Sequence, residues 1–124
     1  MGLAQTGTGK TAAFVLPILQ RLRQGPRRKV RALIIAPTRE LTEQTHKVIT
    51  QLGRRTGLRS LSVYGGVNIG PKITALNRGV EIVSACPGRL LDHIQRGTID
   101  VSHIDVLVLD EADHMFDMGF LPDI

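Results

Sequence analysis

Residues 4–11 read AQTGTGKT. Gly7 and Gly9 let the backbone turn tightly and approach a ligand without Cβ clashes, while Lys10 and Thr11 add a cation and a hydroxyl. Successive backbone N–H groups in such a loop converge on phosphate oxygens, and a helix beginning near Lys10 points its positive end at the same charge. In that reading Lys10 reaches the β and γ phosphates of a nucleotide and Thr11 ligates Mg²⁺. The phosphate-binding pattern G-x-x-x-x-G-K-[ST] asks for glycine where this chain has Ala4, so a flexible turn is the competing reading of the octapeptide alone.

Outward from this loop, short apolar runs alternate with helical periodicity: VRALIIA (30–36), SLSVY (60–64), VEIVSA (80–85) and IDVLVLD (104–110) read as buried strands. Leu41, Thr45, Val48, Ile49 and Leu52 fall on one helical face, as do Leu90, Leu91 and Ile94, which predicts crossover helices between the strands. Pro37, Pro71 and Pro87 stand where the following helices begin, and Gly79 and Gly97 where helices end. Pro17 lies inside the first helical stretch and leaves the Ala13 carbonyl without a donor, predicting a bend or a short break. RQGPRRK (23–29) is a loop by its Gly-Pro and its charges. The pattern is a single βα-alternating unit with a mostly parallel sheet.

The 124 residues are 42% hydrophobic, enough for a core, yet short for a complete nucleotide-hydrolysing motor. Sixteen Lys and Arg against 11 Asp and Glu give a net charge of +5, which favours polyanionic partners without saying which. A single cysteine, Cys86, excludes an internal disulfide and fits a reducing compartment. No apolar run is long enough to span a bilayer and residues 1–20 lack a signal-peptide pattern, so a soluble, cytoplasmic protein with no membrane partner is expected. The four histidines, His46, His93, His103 and His114, have no metal-ligand spacing and read as surface or helix residues.

A second constellation closes the last apolar run. IDVLVLDEAD (104–113) ends in Asp110 and Glu111, with Asp113 close by. A strand end holds a carboxylate rigidly near bound phosphates, where one acid holds Mg²⁺ and the next polarises the attacking water. An acidic helix N-terminus, favoured by the helix dipole, is the other reading of these residues alone. Paired with AQTGTGKT upstream in an alternating chain, the phosphate-site reading gains weight.

With both blocks in view, the sequence resembles the first RecA-like domain of a DEAD-box ATP-dependent RNA helicase: Asp110-Glu111-Ala112-Asp113 spells the signature, and PTREL (37–41), YGG (64–66), PGR (87–89) and MFDMGF (115–120) follow in family order. The resemblance covers essentially the whole chain. It implies an α/β fold, an incomplete RecA-like P-loop NTPase domain with a mostly parallel sheet and flanking helices. It implies ATP and Mg²⁺ as cofactors, bound by Ala4, Gln5, Thr6, Gly7, Thr8, Gly9, Lys10 and Thr11, with Thr11 and Asp110 on the metal. Lys10, Asp110 and Glu111 are the implied catalytic residues, and Asp113 the link to a Ser-Ala-Thr motif. Pro37, Thr38, Arg39, Gly65, Gly66, Pro87, Gly88 and Arg89 are the implied contacts to the sugar-phosphate backbone of RNA, gripped without regard to sequence. Arg39 and Arg89 bring charge and the glycines bare N–H donors, with little aromatic surface for stacking bases. Taken singly, Glu40 as first-turn support, Gly65-Gly66 as a turn and Pro87 as a helix start are equally good readings.

Two positions depart from the family pattern. Cys86 stands where Thr is usual before Pro-Gly-Arg, a weak donor in place of a phosphate-touching hydroxyl, and Thr42 stands where Ala is usual after PTREL. In the family the phosphate loop follows a full strand and an adenine-reading motif, whereas only Met1-Gly2-Leu3 precede Ala4 here. A Ser-Ala-Thr motif and a second RecA-like domain would follow Ile124. The expectation is therefore a partial first domain over 1–124, lacking its first strand and its Ser-Ala-Thr strand, marginally folded and catalytically silent in isolation. Its parent couples ATP hydrolysis to RNA clamping and local duplex unwinding; the alternative is a non-catalytic truncated product that binds nucleotide or RNA weakly. A DNA-acting relative is disfavoured by PTREL and DEAD together.

Overall fold

The structure, a computed structural model, describes residues 8–111. Helix α1 (Thr8–Leu22) is followed by β1 (Ala32–Ile35), α2 (Arg39–Leu52), β2 (Ser60–Val63), α3 (Ile69–Arg78), β3 (Ile82–Ala85), α4 (Pro87–Arg96) and β4 (Val106–Leu109). The strands form one parallel sheet in the order β2-β3-β1-β4. Each strand is shorter than its apolar run, but ladder hydrogen bonds continue past the C-terminal ends: Ala36 N–H donates to Ala85 O, Cys86 N–H to Val63 O and Asp110 N–H to Ile35 O.

Alternation across the pleat divides the core. Ala32, Ile34 and Ile82 pack with Val15, Ile18, Leu19 and Leu22 of α1 and Val48 and Ile49 of α2. Leu33, Ile35, Val83 and Ala85 face the other way, onto Leu90 of α4 and Ile99. The helix after β1 and the helix after β3 thus cover opposite faces of two adjacent strands. Their connecting turns part at the C-terminal edge, the place where ligands bind in open α/β sheets.

Several expectations are corrected. The short break expected at Pro17 does not occur, since helix α1 continues through it. Ala13 and Pro17 both lie on its exposed face, where water replaces the missing donor while the opposite face is fixed by the core. Only Pro87 occupies the first helical position: Pro71 is the third residue of α3, and Pro37 precedes the Thr38 cap. All three still lie where an amide donor has no intrahelical acceptor. The buried face of α2 is Thr42, Thr45, Val48 and Ile49, rotated away from Leu52, which is 41% exposed. Strand β4 is only half buried, with Leu107 and Leu109 54% and 37% exposed, because it is an edge strand among the described residues.

His93, read as a surface or helix residue, lies in helix α4 and is fully buried rather than at the surface. The Thr98 hydroxyl donates to His93 O (3.1 Å) and therefore accepts from His93 Nδ1–H (2.7 Å). That fixes the neutral tautomer and leaves Nε2 without a hydrogen-bond partner. Burial holds the His93 pKa below its ordinary 6.5, with Asp92 opposing and Arg89 and Arg96 reinforcing the shift. Burial also lowers His46, whose Nδ1 meets Ser60 Oγ at 2.7 Å. The unfolded chain then binds more protons near pH 6 than the native one, so this stability is present above 6.5 and is lost as pH falls through the lowered native values. Thermal midpoints are expected to drop between about pH 7.5 and pH 5.5, and His93→Gln to flatten that drop; an identical slope in the variant would refute the assignment.

At the opposite pole, Arg31 is 7% exposed; it donates to Asp105 Oδ2 from Nε (2.9 Å), with Nη2 ion-paired to the same oxygen at 2.8 Å, and to Gln24 O from Nη1 (2.8 Å). The end of α1, the start of β1 and the approach to β4 are thereby tied at one guanidinium, whose planar fork suits several acceptors at once.

Candidate functional site

The sheet brings the two ends of the chain's phosphate chemistry together. Lys10, in the first turn of α1, places Nζ 3.6 Å from Asp110 Oδ1 and 3.9 Å from Glu111 Oε2. Asp110 follows directly from β4 and is 7% exposed, held by its N–H bond to Ile35 O. Glu111 is nearly half exposed and adopts φ 59°, a left-handed conformation that a residue with a long side chain rarely takes. Such a strained backbone is the kind of local cost found at functional positions. Thr11 is buried, 4% exposed, one residue beyond Lys10.

The donor set fits Mg²⁺ bound with a nucleotide. Mg²⁺ takes one or two protein oxygens and completes its shell with phosphate and water, and Asp110 with the Thr11 hydroxyl supplies that number. Among the described residues there is no cluster of three or more His, Cys, Asp and Glu that would form an all-protein cage. Gly9 and Lys10 are exposed at the start of α1, so amide donors and the ammonium are available to phosphate. Ala4, Gln5, Thr6, Gly7 and Asp113 lie outside the described residues, as does the MFDMGF block; Thr8 opens α1.

A second group gathers at the C-terminal ends of β1, β2 and β3. Thr38 caps α2, its Oγ1 accepting from Leu41 N–H at 3.2 Å, which sets Arg39 at the first helical position. The Arg39 guanidinium lies 5.0 Å from the ring centroid of Tyr64, and Lys72 Nζ reaches the same ring at 5.9 Å. Gly66 has φ 84°, and a Cβ there would come within 3.4 Å of Arg39 Nη1; one at Gly65 would stand 4.0 Å from Arg89 Nη2. The glycine pair thus keeps open the floor between two guanidinium groups. Pro87 begins α4, and Cys86 at its N-cap makes no side-chain cap bond, leaving first-turn amides of that helix available; a Cβ on Gly88 would meet nothing within 4 Å. Pro37, Thr38, Arg39, Gly65, Gly66, Pro87, Gly88 and Arg89 are all on this edge.

The two departures noted in the sequence prove to be one contact. Thr42 Oγ1 donates to Thr38 O at 2.9 Å and lies 3.3 Å from Cys86 Sγ, which leaves the thiol as donor between them. Burial raises the Cys86 pKa, and Glu40 raises it further while Arg39 lowers it. A protonated Cys86 suits that role. The contact joins the first turn of α2 to the turn after β3. Sequence reasoning missed Tyr64 as a platform for two cations and Lys72 as a member of the group. The one Tyr of the chain, directly before Gly65-Gly66, was the available signal for the first; nothing marked Lys72.

Known proteins share the sequence and fold of this chain. The family model for DEAD/DEAH box helicases matches residues 1–124. The chain is 50% identical to the ATP-dependent RNA helicase CshA of Listeria monocytogenes, covering all of this chain and 24% of that protein. It is 49% identical to the ATP-dependent RNA helicase RhlB of Pseudomonas putida, covering 33% of it. The chain thus spans about a quarter to a third of the length of these curated relatives. Among solved structures, the yeast DEAD-box splicing factor Prp28 superposes with a TM-score of 0.85 at 36% identity, over 94% of this chain and 29% of that one. A hypothetical ATP-dependent RNA helicase from Sulfolobus tokodaii gives 0.82 at 43% identity, over 95% and 33%.

Proposed function

From the premise that the chain belongs to the DEAD/DEAH box helicase family, we propose that it forms part of the first RecA-like domain of an ATP-dependent RNA helicase. The single observation that carries this reading is the Lys10 ammonium set within 4 Å of both Asp110 and Glu111, on the same sheet edge as Arg39 and Arg89. Bound Mg·ATP supplies a phosphoryl group open to in-line attack by water. Lys10 neutralises charge on the β and γ phosphates, and α1 directs its positive end at them. Asp110, rigidly attached to β4, and Thr11 would hold the metal. Glu111 orients the attacking water and takes up its proton.

Arg39 and Arg89 grip RNA phosphates, with amides of the Gly65-Gly66 turn and the start of α4 alongside. Contacts to phosphate and sugar carry no base information, so binding is independent of sequence. The Thr42–Cys86 contact sets the spacing between the two helix N-termini that carry these arginines. Coupling of this grip to ATP hydrolysis, with local duplex separation, is the activity of the whole protein.

The test is RNA binding by the intact native protein. Arg39→Ala and Arg89→Ala are each expected to weaken affinity for unrelated single-stranded sequences alike and to reduce the magnitude of the salt slope by about 0.7. A loss confined to one sequence, or unchanged affinity in both variants, would contradict the proposal.

A further inference from the structure

The N-terminal ends of the strands form the pole opposite the crevice, and it is crowded with arginines that the proposed function leaves unused. The loop before β1 brings Arg27 and Arg28, the loop before β2 brings Arg54, Arg55 and Arg59, and the end of α3 brings Arg78, all exposed. These segments are held against one another. Arg27 Nη1 and Nη2 both donate to Thr56 O at 3.3 Å. Glu81, 2% exposed at the foot of β3, accepts from Arg28 N–H and Arg59 N–H, each at 2.7 Å, one with each carboxylate oxygen. Arg28 is held at φ 65° by that bond, and Gly79 packs on it closely enough that a Cβ would stand 2.5 Å from Arg28 Cβ.

The buried carboxylate therefore spends its charge on the backbone and leaves the guanidinium groups outside. Asp105 is committed to Arg31, and Asp100 lies with Ser102 and His103. Arg59 and Arg78 line one open groove of about 340 Å³ together with Ser60 and Thr74. We infer that this pole is a second nucleic-acid surface, which takes the phosphate backbone of RNA away from the crevice. The inference rests on the reading above only for the class of partner.

Three features favour RNA over the alternatives. All of the cations named are arginines, with Lys29 the one exposed lysine beside them in the 23–29 loop, and arginine's planar fork matches phosphate. The 23–29 and 53–59 loops carry no aromatic residue and no exposed large hydrophobic to enter a bilayer. A protein partner's interface core would call for aromatic and apolar residues, not concentrated like charge.

The experiment titrates a fluorescein-labelled oligouridine of about 30 nucleotides with the intact native protein at several salt concentrations. Arg54→Gln, Arg55→Gln, Arg59→Gln and Arg78→Gln combined are expected to lower affinity at least tenfold and to reduce the salt slope by about 3. The corresponding four lysine substitutions are expected to retain most of the slope, which separates charge from damage to the fold. A glutamine variant with wild-type affinity and slope, while Arg39→Ala with Arg89→Ala still loses RNA, overturns this inference and leaves the proposed function standing. No loss in either set overturns both. Unchanged RNA binding with lost retention on vesicles containing anionic lipid assigns the pole to a membrane and overturns it as well.

Discussion

Lys10→Ala lowers RNA-stimulated ATP turnover of the intact protein by about 10²- to 10³-fold, the effect expected when one preorganised group is removed from developing phosphate charge. The same substitution leaves thermal stability nearly unchanged. Lys10 is 58% exposed and its distances to Asp110 and Glu111 are 3.6 and 3.9 Å, so its ion pairs are loose and solvent-screened. Loss of activity without loss of fold separates a phosphate ligand from a structural lysine. Phosphate release and a melting curve on the same sample make the test, and turnover within a few-fold of wild type would remove Lys10 from the mechanism.

Glu111→Gln lowers kcat by about 10²- to 10⁴-fold with little change in KM for ATP, because an amide orients water but cannot take its proton. Its shape matches that of the glutamate, so the left-handed backbone at φ 59° is perturbed no further. The split between kcat and KM distinguishes Glu111 from Asp110, whose place at the end of β4 suits a metal ligand and whose loss should raise KM as well. Equal rises in KM for both variants would mean that the two carboxylates share one role. Steady-state kinetics over a range of Mg²⁺ concentrations reads this directly.

Apolar runs such as ALII and VLVL, with Gly79 and Gly97 closing helices, were legible because strand burial and helix termination act locally. The approach of Lys10 to Asp110 was legible as chemistry, since a cation in a glycine loop and a carboxylate at a strand end require each other around a phosphate. What periodicity could not give was the pairing of strands. The order β2-β3-β1-β4 decides that β4 lies at an edge among the described residues, exposing Leu107, and that α4 sinks His93 into the core. A single buried histidine leaves no periodic trace, because its partner, the Thr98 hydroxyl, lies beyond the helix end.

Long-range pairs were equally hidden. Thr42 and Cys86 look like two separate departures, 44 residues apart, until adjacent strands bring them to 3.3 Å. The same folding gathers arginines from separate loops at the far pole, where the sequence showed only a basic excess. Glu81 is the residue that a composition count misreads most, since its carboxylate is consumed by two backbone amides and neutralises none of the surface guanidinium groups.

The most direct measurement of the central claim is phosphate release by the intact native protein as a function of oligouridine concentration, with wild type beside Arg39→Ala, Arg89→Ala. If the Lys10–Asp110–Glu111 site and the arginine crevice form one machine, turnover rises with RNA and saturates, and the variant needs at least tenfold more RNA for half-saturation, the loss of two charge-assisted phosphate contacts. ATP turnover that is indifferent to RNA, or equally stimulated in the variant, would contradict the account.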